Sequence, residues 1–296
     1  MTDTLFTIVT HKFDPAVCRH IERVGSELRR DYKFLVYYDV TSAPDFRLTI
    51  DECQTLPFDF AKIRPKFPLL AQAKIAPGNQ YTAYIDLLHL FPEIKYFWFV
   101  EYDVRFSGNW RVLVDICNQS RADMLGVHIR TREEIPDWDW WPSIRNEFDP
   151  GRQLPGVRAF GWVSRLSRDA LELIAKRCVE EGWTGHMEAL LPSLLCDAGM
   201  RIEEIGGRGP FTPKERRGLY YLSENAISSP SRNGDLGLGS NRFGPPLLLW
   251  GMRKNRIYHP VKTGRSLRSI KLDTLSALKY SKDSAVDLLK RTAGHV

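Results

Sequence analysis

The stretch Tyr96–Trp110, YFWFVEYDVRFSGNW, decides the fold of this chain. Its first five residues are all apolar, and a strand of this kind is covered on both faces, as in the middle of a parallel sheet between two layers of helices. Glu101 and Asp103 follow at the carboxyl end of the predicted strand, where open α/β sheets place their ligands. Because residues two apart on a strand point the same way, both carboxylates can reach one divalent cation. The alternative is that the strand has ended and both acids are solvated in a loop.

Segments on either side of this stretch alternate between strand and helix patterns. Leu5–Thr10 and Phe34–Tyr38 are short runs typical of strands, and Pro15–Leu28 between them has apolar residues at helical spacing. Strand, helix and strand over this length predict a βαβ unit with a parallel sheet. Beyond these segments, we expect a strand over 123–129, helices over 79–91, 168–178 and 188–197, and loops over 136–150 and 206–246.

The composition is that of a folded protein. The chain has 296 residues, of which 43% are hydrophobic and 26% charged, and this excludes a disordered or collagen-like protein. No uncharged apolar stretch approaches the roughly 20 residues of a membrane helix. The N-terminus shows no basic segment followed by a cleavage site, so we expect no signal peptide. The five cysteines have no CxxC spacing, which indicates reduced thiols and a cytoplasmic protein.

The run EYDVRFSGNW over 101–110 resembles the ExD variant of the DxD motif in nucleotide-sugar-dependent glycosyltransferases of the GT-A fold. The resemblance implies an α/β fold: a GT-A-like, Rossmann-like, mostly parallel sheet flanked by helices. It also implies a single glycosyltransferase domain over residues 1–265, followed by a basic helical tail over 266–296. In this family the motif binds Mn²⁺ or Mg²⁺, which bridges the diphosphate of the donor. We therefore expect a UDP-sugar as donor.

The same resemblance implies which residues bind the metal and the diphosphate. Asp103 is expected to be a direct ligand, and Glu101 contacts either the ribose or the metal, in the latter case through water. GT-A enzymes often take a third ligand from a C-terminal histidine, which is His259 here, and Lys262 would offset the charge of the diphosphate. The alternative for His259 is a structural His-Pro pair in a loop.

Three residues at the ends of the first two predicted strands form the expected nucleotide end of the site. By the resemblance, Thr10, His11 and Asp39 lie near the uracil or another base. Loop polarity and helix capping explain His11 and Asp39 equally well. The chain has no GxGxxG or GxxxxGK[ST] motif, which counts against a dinucleotide enzyme and a P-loop NTPase.

The catalytic base is expected at the start of the helix predicted over 188–197. In inverting GT-A enzymes an acid at such a position takes the proton of the acceptor hydroxyl, which makes Glu188 the candidate, with His186 and Asp139 as rivals. The alternative is that Glu188 only interacts with the dipole of the helix start.

Four tryptophans are candidates for an acceptor-binding surface. Aromatic rings stack on the C–H faces of sugars, and neighbouring carboxylates accept hydrogen bonds from their hydroxyl groups. The alternative is a tryptophan-rich plug beneath the sheet. The candidates are Trp138, Trp140, Trp141 and Trp162.

The sequence thus predicts a metal-dependent glycosyltransferase that acts on a carbohydrate or lipid-linked glycan. The alternatives are a sugar-nucleotide hydrolase or nucleotidyltransferase on a similar sheet, and a non-catalytic module that binds polyanions or membranes. Residues 252–296 carry 11 of the 42 Lys+Arg and 3 of the 36 Asp+Glu, so the rest of the chain is slightly acidic and no nucleic-acid partner is expected. The basic tail is compatible with peripheral contact with the inner membrane face, although packing on the domain is the simpler alternative.

Overall fold

The computed structural model describes residues 3–43, 45–50, 52–70, 72, 75–76, 78–221, 251 and 253–262. The strands of this part of the chain are β1 (Thr4–Thr10), β2 (Lys33–Asp39), β3 (Gln54–Phe58), β4 (Tyr96–Glu101), β5 (Arg105–Phe106), β6 (Met124–Thr131), β7 (Arg145–Asn146), β8 (Val157–Ser167), β9 (Trp183–Thr184), β10 (Ile202–Glu204) and β11 (Ile257–Tyr258). Its α-helices are α1 (Pro15–Leu28), α2 (Phe60–Ile63), α3 (Tyr81–Leu90), α4 (Trp110–Asn118), α5 (Arg168–Val179) and α6 (Met187–Asp197).

The described strands form a seven-stranded sheet with the order β10-β6-β8-β4-β1-β2-β3. Within this sheet β8 runs antiparallel to its neighbours β4 and β6, and the other pairs are parallel. The carboxyl ends of β1, β2 and β4 therefore meet at one edge, as do the ends of parallel strands in other α/β sheets. This topology confirms the predicted α/β architecture, a mostly parallel sheet flanked by helices.

The apolar strand β4 lies in the middle of the sheet because both of its faces are covered. Phe97 and Phe99 pack in the core beneath α3, α5 and α6, whereas Trp98 and Val100 pack in the core beneath α1 and α4. All four side chains are buried. Each core gains on the order of 2 kcal/mol per large apolar side chain that is fully removed from water.

The helix starts follow from local side-chain chemistry. Asp14 accepts hydrogen bonds from two backbone N–H groups at the start of α1, and Ser167 does the same for one at the start of α5. At α6 the capping residue is His186, whose Nδ1 accepts from the backbone N–H of Glu188 at 3.4 Å. The cap thus fixes the position of the first turn of α6, which carries Glu188.

Most of the predicted elements are confirmed. The helix expected over 79–91 spans Tyr81–Leu90, and the loop over 136–150 contains a short 3₁₀ turn and the two-residue strand β7. The sequence did not predict strands β3, β8 and β10 of the sheet, helices α2 and α4, or the two-residue strands. The loop expected over 206–246 is described only as far as residue 221. The proposed domain boundary at residues 265 and 266 and the basic tail over 266–296 lie outside the described residues.

A short antiparallel pair brings the C-terminal part of the described chain to the sheet edge. Strand β11 pairs with β5, which follows the ExD motif by two residues. The Ser107 hydroxyl donates to the backbone carbonyl of Arg253 and accepts from the backbone N–H of Arg256. His259 follows β11 directly, so this pair delivers it to the motif.

Two findings concern the expected reduced thiols and the expected lack of a membrane helix. Each of the five cysteines is a free thiol in the structure. None of the helices in the described ranges has the length and apolar character that a bilayer-spanning helix needs.

Candidate functional site

Three side chains predicted as metal ligands converge at the carboxyl end of β4. The Nε2 atom of His259 lies 3.9 Å from Oε2 of Glu101 and 3.7 Å from Oδ1 of Asp103. The backbone holds this arrangement, because the N–H of Val261 donates to the carbonyl of Asp103 at 2.8 Å. The structure therefore brings together residues that are more than 150 positions apart in the sequence.

The donor set fits a divalent cation. Each residue offers one ligand atom, and the three atoms lie within 4.8 Å of one another. Two ligands at about 2.1 Å from one ion are at most about 4 Å apart, which the two histidine distances satisfy. Carboxylate oxygens with one imidazole suit Mn²⁺ or Mg²⁺. Oδ1 of Asp103 is buried and accepts no hydrogen bond from the described residues, so it has a lone pair available for a cation.

The electrostatics of the cluster also favour a cation. Burial, together with the nearby carboxylates of Asp103 and Glu188, raises the pKa of Glu101 to about 8. The ammonium group of Lys262 lies 3.6 Å from Oδ2 of Asp103 and offsets part of this charge. Lys262 is exposed, so it can also approach an anionic ligand. A buried carboxyl group with a raised pKa at a sheet edge, as Glu101 is, is a common property of functional sites.

An arginine beneath the motif holds the turn that carries Asp103. The guanidinium group of Arg105 donates to the backbone carbonyls of Tyr102 at 2.6 Å and of Val104 at 3.0 Å. Arg105 is buried, so these bonds form away from competing water. The sequence analysis did not assign Arg105 a role, although it lies inside the quoted motif.

Glu188 lies in the same part of the site as Glu101. Its Oε1 accepts from the backbone N–H of Gly161 at 3.1 Å, whereas Oε2 is buried and accepts no hydrogen bond from the described residues. Burial raises the pKa of Glu188 to about 7, while the Gly161 N–H and the Arg158 cation act in the opposite direction. A carboxyl group of this kind changes protonation state near neutral pH, as a general base must.

Gly161 lies against the first turn of α6. A Cβ atom at this position would lie 2.8 Å from Cε of Met187 and 3.8 Å from Cγ of Glu188. A larger residue here would therefore displace the flexible end of Met187, next to Glu188.

The two rival bases occupy different surroundings. His186 is largely buried, and burial lowers its pKa to about 4, so it is neutral at pH 7. Its ring stacks on Trp140 at 4.3 Å. Asp139 is exposed to solvent, and no described contact brings it to the Glu101 cluster.

Of the four tryptophans expected to bind the acceptor, two are accessible to solvent and two are buried. Trp140 is 41% exposed and Trp138 is half-buried. Trp141 is buried, and its indole N–H donates to the carbonyl of Ile135 at 2.8 Å. Trp162 is buried in β8 and stacks on His259. The acceptor interpretation is therefore corrected for Trp141 and Trp162, because a sugar needs an accessible ring face.

The residues expected at the nucleotide end lie where β1 and β2 end. The hydroxyl of Thr10 donates to the carbonyl of Lys12 at 2.7 Å, and Oδ1 of Asp39 accepts from the backbone N–H of Thr41 at 2.8 Å. These two residues thus form local turns. His11 is exposed, and its ring contacts that of Tyr102, the central residue of the motif, at 5.0 Å. Asp39 thus caps a local turn, and His11 contacts the central residue of the motif.

Comparisons with known proteins add a distant structural neighbour. No protein family matches the chain, and no curated protein matches its sequence. Among solved structures, the chain is similar to a glycosyltransferase involved in the glycosylation of the major capsid of PBCV-1, with 12% identity and a TM-score of 0.31. The similarity covers 60% of this chain and 66% of that chain. At such a TM-score nothing about the activity of this chain follows from its neighbour.

Proposed function

We propose that this chain is a metal-dependent glycosyltransferase that moves a sugar from a nucleoside-diphosphate donor, a UDP-sugar, to a hydroxyl group of a glycan or glycolipid. The observation that carries the proposal is the cluster of Glu101, Asp103 and His259 at the carboxyl end of β4. Two carboxylates and one imidazole at this edge of an α/β sheet suit a cation that binds a diphosphate. The motif EYDVRFSGNW, which resembles that of GT-A enzymes, supports the same function.

The donor end of the proposed site consists of charged residues that face the diphosphate. Glu101, Asp103 and His259 would hold Mn²⁺ or Mg²⁺, which when bound supplies positive charge against the negative charge that develops on the leaving diphosphate. Lys262 adds a point charge beside Asp103. His11 would approach the nucleoside, and its contact with Tyr102 of the motif supports this role.

The acceptor end of the proposed site is formed by α6 and the tryptophan-rich loop. Trp140 and Trp138 offer the accessible aromatic surface on which a sugar stacks. Glu188 takes the proton of the acceptor hydroxyl while the acceptor oxygen bonds to the anomeric carbon and the bond from that carbon to the diphosphate oxygen breaks. The unpartnered Oε2 of Glu188 suits this role, because a hydroxyl donor would satisfy an oxygen that is otherwise buried without one.

A donor-turnover assay tests the proposal. We expect release of UDP from a UDP-sugar that requires Mn²⁺ or Mg²⁺, stops with EDTA and increases when a glycan acceptor is added. Metal-dependent release of free sugar without any acceptor would favour a hydrolase instead, and exchange of pyrophosphate would favour a nucleotidyltransferase. Salt-dependent binding to polyanions with no turnover of any nucleotide sugar would favour a non-catalytic module. Each of these three outcomes contradicts the proposed transfer.

A further inference from the structure

Alternate residues of β8 form a stack of planar groups that ends at His259. The guanidinium carbon of Arg158 lies 4.2 Å from the centroid of the Phe160 ring. The rings of Phe160 and Trp162 follow at 4.3 Å with an angle of 25° between their planes. The imidazole of His259 completes the stack, 4.0 Å from Trp162 and 10° from parallel. These three residues of β8 face the same side because strand side chains alternate.

The position of this stack relates it to the ligand cluster. In the antiparallel pair of β4 and β8, Val100 lies opposite Val163. This is the last pair between the two strands, and Glu101 and Trp162 each lie one residue beyond it, at the edge of the sheet that carries the candidate metal ligands. The large ring of Trp162 lies against the imidazole of His259 there.

The stack restricts the orientation of the imidazole. A histidine binds a metal through a lone pair in the plane of its ring, so rotation of the ring moves the direction of ligation. The backbone of His259 is fixed on one side by β11 and on the other by the hydrogen bond from Val261 to Asp103. The ring itself lies flat against Trp162, and both residues are buried. Metal-binding histidines are also oriented by groups that accept a hydrogen bond from the second ring nitrogen, and both kinds of contact fix the direction of ligation.

Contact with the acceptor sugar does not explain Trp162. Its ring lies between Phe160 and His259, so both of its faces are covered by other rings. Only 3% of the residue is exposed. At the site it contacts the ring of His259.

We propose that Trp162 is a positioning residue that holds the imidazole of His259 in the orientation in which it binds a divalent cation. This inference rests on the proposed function, since it requires the metal site. It adds to that function a residue that touches neither the cation nor the substrates and that acts through His259 alone.

Binding of Mn²⁺ alone, measured by calorimetry or by the electron paramagnetic resonance of free Mn²⁺, tests the inference without any substrate. Trp162→Phe keeps a flat ring against His259, and Trp162→Leu keeps an apolar side chain without a ring. We expect Trp162→Leu to weaken Mn²⁺ binding by about 10- to 100-fold, as loss of orienting groups does elsewhere. Trp162→Phe is expected to restore most of the affinity.

A matched control separates positioning from general loss of core packing. Trp98 is buried in the same apolar core, and its indole N–H donates to Asn118 at 3.2 Å, away from His259. Trp98→Leu is expected to lower the melting temperature while leaving Mn²⁺ affinity close to that of the wild type. If Trp162→Leu fails to fold, Trp162→Met replaces it in the same comparison.

The outcomes separate this inference from the proposed function. Wild-type Mn²⁺ affinity in a folded Trp162→Leu or Trp162→Met variant would overturn the positioning role and leave the metal site standing. Equal loss of affinity in Trp162→Phe and Trp162→Leu would also overturn it, because the ring would then have no special effect. If the wild type itself bound no Mn²⁺, both the proposed function and this inference would be rejected.

Discussion

Glu188 is the residue on which the proposed chemistry depends most. We expect Glu188→Gln to lower transfer by about 10²- to 10⁴-fold, the usual contribution of a general base, because an amide cannot take the acceptor proton. Binding of Mn²⁺ and of the donor is expected to survive, since both are proposed to bind at the cluster of Glu101, Asp103 and His259. Turnover of the donor with acceptor and calorimetry with UDP and Mn²⁺ measure the two effects separately.

The rival base supplies the comparison for this prediction. Asp139→Asn removes the exposed carboxylate of the tryptophan-rich loop, which no described contact brings to the Glu101 cluster. Full transfer by Glu188→Gln together with a large loss in Asp139→Asn would show that Asp139 is the base and that the role given to Glu188 is wrong.

The pH dependence of transfer follows from the same carboxyl group. Burial raises the pKa of Glu188 to about 7. The base is active when deprotonated, so kcat/KM for the acceptor at saturating metal and donor is expected to rise with pH, with a midpoint near pH 7. The residual activity of Glu188→Gln should lack this transition. A wild-type midpoint at pH 4 to 5, the ordinary range of a carboxyl group, would argue against Glu188.

At the scale of single residues, the sequence predicted the ligand cluster better than the surfaces around it. Glu101 and Asp103 follow an apolar strand at a spacing of two, and this local pattern has a direct geometric meaning. The burial of Trp141 and Trp162 depends on which segments cover them, and no local pattern contains that information. The contact of Trp162 with His259 joins positions 97 residues apart, so it becomes visible only in the fold.

The stability that the first turn of α6 contributes to the fold is expected to depend on pH. Its cap is His186, and burial lowers the pKa of this residue from about 6.5 to about 4. The unfolded chain therefore takes up the proton first as the pH falls. The stability that neutral His186 provides is present above pH 6.5 and is lost as the pH falls to 4, by up to about 3 kcal/mol for a shift of this size.

A capping variant isolates this contribution. Asparagine is a good capping residue that does not titrate, so His186→Asn keeps the cap and removes the proton uptake. Urea unfolding at pH 7, 5.5 and 4 is expected to show a smaller loss of stability in His186→Asn than in the wild type. Identical losses of unfolding free energy in the two proteins would contradict the assignment.

Among the elements, strands β8 and β3 were not predicted, and in each case the reason can be identified. Strand β8 is interrupted by Arg158, Gly161 and Arg165, which break an apolar pattern. Arg165 is nevertheless buried, since its guanidinium donates to the carbonyls of Cys117, Ser120 and Ala122. Its partners lie more than 40 positions away, so burial of this charge could not be read from the strand itself. Strand β3 contains Pro57, a residue that disfavours a strand in local reasoning but is tolerated at a sheet edge.

At the scale of the whole molecule, one buried carboxylate links the segment after β10 to the site. Glu204 accepts from the hydroxyls of Thr212 and Tyr221 and from the backbone N–H of Gly209 at 3.1 Å. The neighbouring Tyr220 carbonyl accepts from the N–H of Ile257 at the start of β11. Residues 205–221 therefore contact the strand that delivers His259. The sequence predicts a loop over 206–246, and the described part of this loop contacts β11.

The distribution of basic residues is also a property of the whole molecule. Arg253, Lys254, Arg256 and Lys262 precede or follow β11, close to the ligand cluster in sequence, and the remaining basic residues after 262 lie outside the described ranges. The contact of the tail with an anionic membrane stays a prediction. The measurement that would decide it is sedimentation of the full chain with anionic and neutral vesicles.

The central claim is that Asp103 and its neighbours form a site for a divalent cation and a nucleoside diphosphate. The most direct test is the melting temperature of the wild type and of Asp103→Asn with UDP and Mn²⁺, each alone and together. A ligand at 100 times its dissociation constant stabilises a protein by about 2.7 kcal/mol, which corresponds to a rise of roughly 5–10 °C for a chain of this size. We predict such a rise for the wild type with both ligands and none for Asp103→Asn. No rise in the wild type, or an equal rise in Asp103→Asn, would contradict the account.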